Sequence, residues 1–217
     1  MPEIMTQDQS IRLERVTITL GARTLLNLDA TIGAGQVLSV MGPSGSGKST
    51  LLAFIGGFLD PHFMAVGRVY IRGKDVTGLE PSARHAGILF QDPLLFPHMS
   101  VGGNLLFAIP ANVKDKPTRL FKAKAALEEM GLGGCFDHDP ARLSGGQKAR
   151  VALARTLLSE PHALLLDEPF SRLDAALRAQ MRELVFARAH ERMLPVVLVT
   201  HDPEDAQAAG GQLIEIG

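Results

Sequence analysis

Apolar and polar residues alternate twice near the start of the chain. Ile11 and Leu13 keep one phase and Val16, Ile18 and Leu20 the other, with a slip near Arg15, so the pattern predicts a half-buried strand with a bulge and the two sets on opposite faces. Residues 25–32 predict a second strand. Residues 37–41 are almost wholly apolar, as suits a central strand covered on both faces, and a glycine-rich loop leads from them into a helix over 48–55. Residues 69–71 and 87–90 predict short strands, with turns at Gly73-Lys74-Asp75 and Glu80-Pro81-Ser82 between them. From about Ser100 the period becomes helical. Leu120, Ala123, Leu127 and Met130 share one face of a helix opened by Pro117 and closed by the glycines of 131–134, and residues 147–158 predict another helix. Residues 163–166 and 196–199 are apolar runs of the buried-strand type. Between them, Leu177, Met181, Leu184 and Val185 lie on one helix face, and residues 214–217 predict a last strand. Strands alternating with helices indicate a parallel α/β sheet.

Composition narrows the function classes. A chain of 217 residues with 46% hydrophobic and 21% charged residues is long and apolar enough to bury a core, which excludes a disordered chain and predicts one compact unit. The net charge of −1 supplies no global field for nucleic acid or anionic lipid, so any anion site must be local and no nucleic-acid partner is expected. No apolar run approaches the roughly 18 residues of a membrane-spanning helix, and the opening MPEIMTQDQS lacks a signal-peptide pattern. Neither export nor insertion is expected. The lone Cys135 cannot form an internal disulfide and fits a reducing compartment.

The local anion site is plain in GPSGSGKST, which places Gly42, Pro43, Ser44, Gly45, Ser46, Gly47, Lys48, Ser49 and Thr50 between a buried strand and a helix. Glycines let backbone amides converge on phosphate oxygens at a helix N-terminus. Lys48 suits the β and γ phosphates, and the Ser49 hydroxyl suits Mg²⁺. The second half of the site is Ala163-Leu164-Leu165-Leu166-Asp167-Glu168-Pro169, an apolar strand with two carboxylates at its C-terminal end. Asp167 suits a Mg²⁺ contact; Glu168 suits polarising the water that attacks the γ phosphate. The strand 196–199 ends similarly at Thr200-His201-Asp202. Ligands of parallel sheets bind beyond strand C-termini, so His201 is expected to reach the γ phosphate or the attacking water. Asp137-His138-Asp139 lacks the spacing of a catalytic metal site.

Leu143-Ser144-Gly145-Gly146-Gln147, with the phosphate loop and LLLDEP, resembles the ATPase subunit of an ATP-binding cassette (ABC) transporter along essentially the whole chain. The resemblance implies a phosphate-loop NTPase core with a RecA-like parallel sheet, an antiparallel β subdomain and an inserted α-helical subdomain. The whole chain would be one ABC ATPase domain, with core 1–91 and 160–217 and helical subdomain about 92–159. It implies that Ser144, Gly145, Gly146 and Gln147, with Asp174 of Ser171-Arg172-Leu173-Asp174, cover the ATP of the opposite protomer in a homodimer. Gln91 would touch Mg²⁺ and water, and His201 would be the switch histidine. Leu20 stands where the family usually places the aromatic residue that stacks on adenine. Residues 60–66 are atypical, and Gly210-Gly211 replaces a usually acidic position. FPHMSV is similar to importer subunits such as those serving thiamine, ferric iron, molybdate, spermidine or sulfate uptake. That implies two transmembrane permease subunits, an external solute-binding protein and a peripheral place on the cytoplasmic face of the cell membrane. Many such subunits carry a C-terminal regulatory domain, which at 217 residues is not expected here. Leu94, Leu95, Phe96 and Met99 suit either permease contact or local loop packing. The alternative function is a soluble ABC ATPase acting on DNA or ribosomes. The 96 positions between Lys48 and Ser144 leave no room for the coiled coil of repair members, and ribosome-acting members generally pair two cassettes in one chain.

Overall fold

A computed structural model describes residues 9–43 and 45–216; Ser44 of the phosphate loop and Gly217 of the last expected strand lie outside the described residues. In chain order the elements are β1 (Ile11–Leu20), β2 (Arg23–Ile32), β3 (Val37–Met41), α1 (Lys48–Gly56), β4 (Phe63–Ile71), β5 (Lys74–Asp75), α2 (Pro81–Arg84), β6 (Ala86–Leu89), α3 (Val101–Ala108), α4 (Lys116–Glu129), α5 (Gly145–Leu158), β7 (Ala163–Asp167), α6 (Ala175–Glu191), β8 (Val196–Thr200), α7 (Pro203–Ala209) and β9 (Gln212–Glu215). Strands β6-β7-β8-β3-β9 form a parallel sheet, and β2-β1-β4-β5 an antiparallel one.

Period-two alternation distributes the parallel strands' side chains between two cores. Leu38, Val40, Ala163, Leu165, Val197 and Val199 join α1 and the antiparallel sheet. Val37, Leu164, Leu166, Val196 and Leu198 face the other way, onto α5, α6 and the α3–α4 pair. Burial on both faces explains why β7 and β8 read as unbroken apolar runs. Truncating a side chain as enclosed as Leu165, at 0% exposure, costs about 2–5 kcal/mol.

The two apolar sets of β1 do not lie on opposite faces as their phases predicted. Arg15 takes a left-handed φ of 48°, and its amide donates to Asp29 Oδ1 at 2.8 Å. This bulge inserts one residue and resets the phase, so Ile11, Leu13, Val16 and Ile18 all face the core. Strand β4 starts at Phe63, well before the expected 69, and β5 and α2 occupy stretches expected as turns. Helix α7 was not expected, and β9 ends at Glu215. The buried Arg84 guanidinium donates to the carbonyls of Phe54 and Ile55 at 2.8 and 3.0 Å and to that of Thr77 at 2.6 Å. It thereby fixes the C-terminal end of α1, whose opposite end carries the phosphate loop.

Candidate functional site

Most of the residues expected to bind and cleave a nucleotide gather where β7, β8 and β3, neighbours in the sheet, reach their C-terminal ends. From β3 the chain enters the glycine-rich loop. Gly42 runs so close to the last segment that a Cβ there would meet the Ile216 carbonyl oxygen at 2.1 Å. Gly47 starts α1 at φ 97°, a left-handed conformation that side-chain-bearing residues rarely adopt. Lys48 is 6% exposed, and its Nζ donates to the carbonyls of Gly42 and Pro43 at 2.7 and 2.8 Å. The buried Ser46 Oγ has no hydrogen-bond partner among the described residues. A buried ammonium beside an unsatisfied hydroxyl and the first turn of a helix suits a phosphate.

Ser49 Oγ donates to Asp167 Oδ1 at 2.8 Å, joining α1 to β7 across the site. Burial pushes the Asp167 carboxyl above the usual carboxylate range; the Ser49 hydrogen bond opposes this, the charge of Glu168 adds to it and that of Lys48 opposes it. Glu168 has φ 46°, uncommon for a residue with a side chain, and its amide donates to the Val199 carbonyl at 2.9 Å. This turn sends the two neighbouring carboxylates apart. Asp167 faces Ser49, while Glu168 Oε2 lies 3.2 Å from His201 Nδ1 at the end of β8. A hydroxyl and a carboxylate are the hard oxygen donors that Mg²⁺ takes alongside substrate phosphates, so the residues present fit that ion.

A network that sequence reasoning missed holds the His201 segment. Arg182 of α6 pairs with Asp202 and Glu204, each at 3.0 Å, and with the buried Asp205; Arg178 pairs with Asp202 at 3.0 Å. Asp205 accepts from Thr200 Oγ1 at 2.8 Å, and Thr200 Oγ1 accepts from the Asp202 amide at 3.0 Å. The available signal was the i, i+4 spacing of Arg178 and Arg182 facing three acids in 202–205.

A cleft of about 410 Å³ opens over the loop, lined by Leu20, Arg23, Leu25, Gly45, Gly47, Lys48, Ser49, Thr50, Phe63 and Glu168. Gln91, Ser144, Gly145, Gly146, Gln147 and Asp174 do not line it. Gln91 is exposed just past β6 and borders, with Gly145, a separate cavity of about 200 Å³. Ser144 and Gln147 form a capping box on α5. The Ser144 hydroxyl accepts from the Gln147 amide at 3.3 Å, and the Gln147 side chain accepts from the Ser144 amide at 2.9 Å. Gly146 is packed so that a Cβ would meet Leu177 at 2.4 Å. Asp174 caps α6 by accepting from the Leu177 amide at 3.0 Å. Arg172, two residues before it, forms an ion pair with Asp92, next to Gln91.

A phosphate loop after one parallel strand, with a histidine at the end of the neighbouring strand and a carboxylate pair at the end of the one beyond it, defines a phosphate-loop nucleoside triphosphatase. The family described as ABC transporter matches residues 25–171. An ABC transporter ATP-binding protein of Escherichia coli (strain K12), YnjD, is 49% identical over 86% of this chain and 86% of its own. The thiamine import ATP-binding protein ThiQ of Ruegeria sp. (strain TM1040) is 43% identical over 95% and 87%. The Fe(3+) ions import ATP-binding protein FbpC of Photorhabdus laumondii is 37% identical over 98% of this chain and 62% of its own length. The chain belongs to the ABC transporter ATP-binding family and is an ATPase. Among the described residues no helix is long and apolar enough to cross a membrane.

Proposed function

We propose that the chain is the motor of an ABC importer for a small nutrient, working as a homodimer on two permease subunits at the cytoplasmic face of the cell membrane. An external solute-binding protein would deliver the solute; the names of the relatives favour a thiamine-like or related one. The observation that carries this reading is the convergence of Lys48, Ser49, Asp167, Glu168 and His201 on adjacent strand ends.

ATP binding draws Lys48 Nζ from the Gly42 and Pro43 carbonyls to the phosphates, while the amides of Gly45 and Gly47 and the start of α1 face the same oxygens. Ser49 and Asp167 would hold Mg²⁺, which neutralises phosphate charge when bound, and Gln91, which lies outside the cleft, would join them only once the nucleotide-bound site closes. Glu168 accepts the proton of the attacking water as the bond between the γ phosphorus and the bridging oxygen breaks and its electron pair leaves with ADP. His201 Nδ1 holds the Glu168 carboxylate in place. The capped start of α5, Ser144 to Gln147, and Asp174 stand outside this cleft, which is compatible with their serving the nucleotide of a second copy. Closure of that dimer rotates the helical subdomain (92–159) against the core (1–91 and 160–217) and moves the permease, which docks near Leu94 and Phe96.

Glu168→Gln tests the chemistry. It should bind ATP within a few-fold of wild type, lose roughly 10²–10⁴-fold in turnover and run as a dimer with ATP in size-exclusion chromatography with light scattering. Normal turnover would remove Glu168 from the base role; a variant that stays monomeric with ATP would remove the shared site.

A further inference from the structure

We infer that Phe63, on β4, is the surface on which the nucleotide's base stacks. The inference rests on the nucleotide reading of the cleft and adds the group that holds the end opposite the phosphates. On β1 the core face runs Ile11, Leu13, Val16, Ile18, all at 0–1% exposure, and the next residue in that alternation, Leu20, is 46% exposed. The sheet therefore continues past the edge of the core, and its last apolar positions overhang the phosphate loop. Leu20 pairs with Phe63 across β1 and β4, and cross-strand partners share a face. Phe63 is half-buried, packed at its base against the core and open to the cleft. Among the described residues lining that cleft it is the one aromatic side chain.

Its position is built. The Phe63 amide donates to the Asp60 carbonyl at 3.0 Å, and Asp60 Oδ1 accepts the His62 amide at 2.9 Å, so a tight turn delivers Phe63 as the first residue of β4. Leu25, which also lines the cleft, packs directly on the phosphate loop, since a Cβ on Gly47 would meet Leu25 Cβ at 3.1 Å. A flat base lying on the Phe63 ring, with Leu20 at its margin, keeps its triphosphate over Gly45 to Thr50. Stacking tolerates any base because every base has a π face. The cleft should thus favour a nucleotide strongly over a bare triphosphate and discriminate weakly among bases.

The chain contains no tryptophan, so Phe63→Trp creates a single fluorescent reporter at the site. MgATP should quench that emission and Mg-tripolyphosphate should not. Phe63→Ala should weaken MgATP binding by roughly 5- to 100-fold and leave tripolyphosphate binding unchanged, whereas Lys48→Ala should weaken both. Phe63→Leu keeps apolar packing without the ring and should match Phe63→Ala, which supplies the same test if the alanine variant folds poorly. Unchanged MgATP affinity in both ring-less variants, or an equal loss for the two ligands, overturns the stacking role. In either case a Lys48→Ala loss leaves the nucleotide reading standing. Wild-type protein that binds neither ligand sinks both.

Discussion

Asp167 is a carboxylate whose ionisation the fold opposes. Its folded carboxyl lies above the ordinary range through burial, so ionising it costs the native state at neutral pH. That cost fades as pH falls through the folded carboxyl's range and vanishes below the unfolded one, where both states carry the proton. Asp167→Asn should therefore melt above wild type at pH 7 with no nucleotide or metal, by a margin that shrinks towards pH 4 in thermal scans. Its Mg²⁺-dependent turnover should fall roughly 10²-fold. At this scale much was legible. The spacing of GPSGSGKST and the apolar run before Asp167-Glu168 announce their placement at one end of the sheet because each is contiguous. The grip of Lys48 on its own loop was not legible because it depends on how the glycine-rich turn curls, and the 3.2 Å approach of His201 to Glu168 because it exists only once strand ends 33 positions apart in sequence are side by side.

Among the elements, legibility followed burial. Strands β3, β7 and β8 show as apolar runs because both faces are covered, and the β1 bulge shows as a slip in phase. The start of β4 was hidden because Met64 and Val66, on its outer face, are apolar yet 69% and 62% exposed, which erases the alternation. Helix α7 has only seven residues and a nearly all-polar or alanine sequence, so it has no stripe to read. Its anchorage is ionic. Arg182→Ala would leave Asp205, at 2% exposure, without its cation, and should cost about 3–5 kcal/mol in urea unfolding. Arg182→Lys should recover only part, because one ammonium does not reproduce a fork that reaches Asp202, Glu204 and Asp205 together. Turnover should drop in both variants, since the same turn carries His201.

At the scale of the whole molecule, the proposed shared site predicts complementation between two dead proteins. Lys48→Ala spoils the phosphate loop, and Ser144→Arg blocks the exposed cap of α5 at a folding cost of about 1 kcal/mol. Each alone should be inactive. Mixed in equal amounts they should regain a measurable fraction of wild-type ATPase activity, because the mixed pair contains one intact loop facing one intact cap; a mixture as silent as its parts would rule out an active site divided between copies. Within one copy, Arg172 and Asp92 already span the gap between the turn after Glu168 and the segment after Gln91. Both ends are exposed, and such pairs contribute at most about 1 kcal/mol. It is a latch that thermal motion can open, so on the proposed function a permease pressing on residues near Asp92 would have a short mechanical route to Glu168.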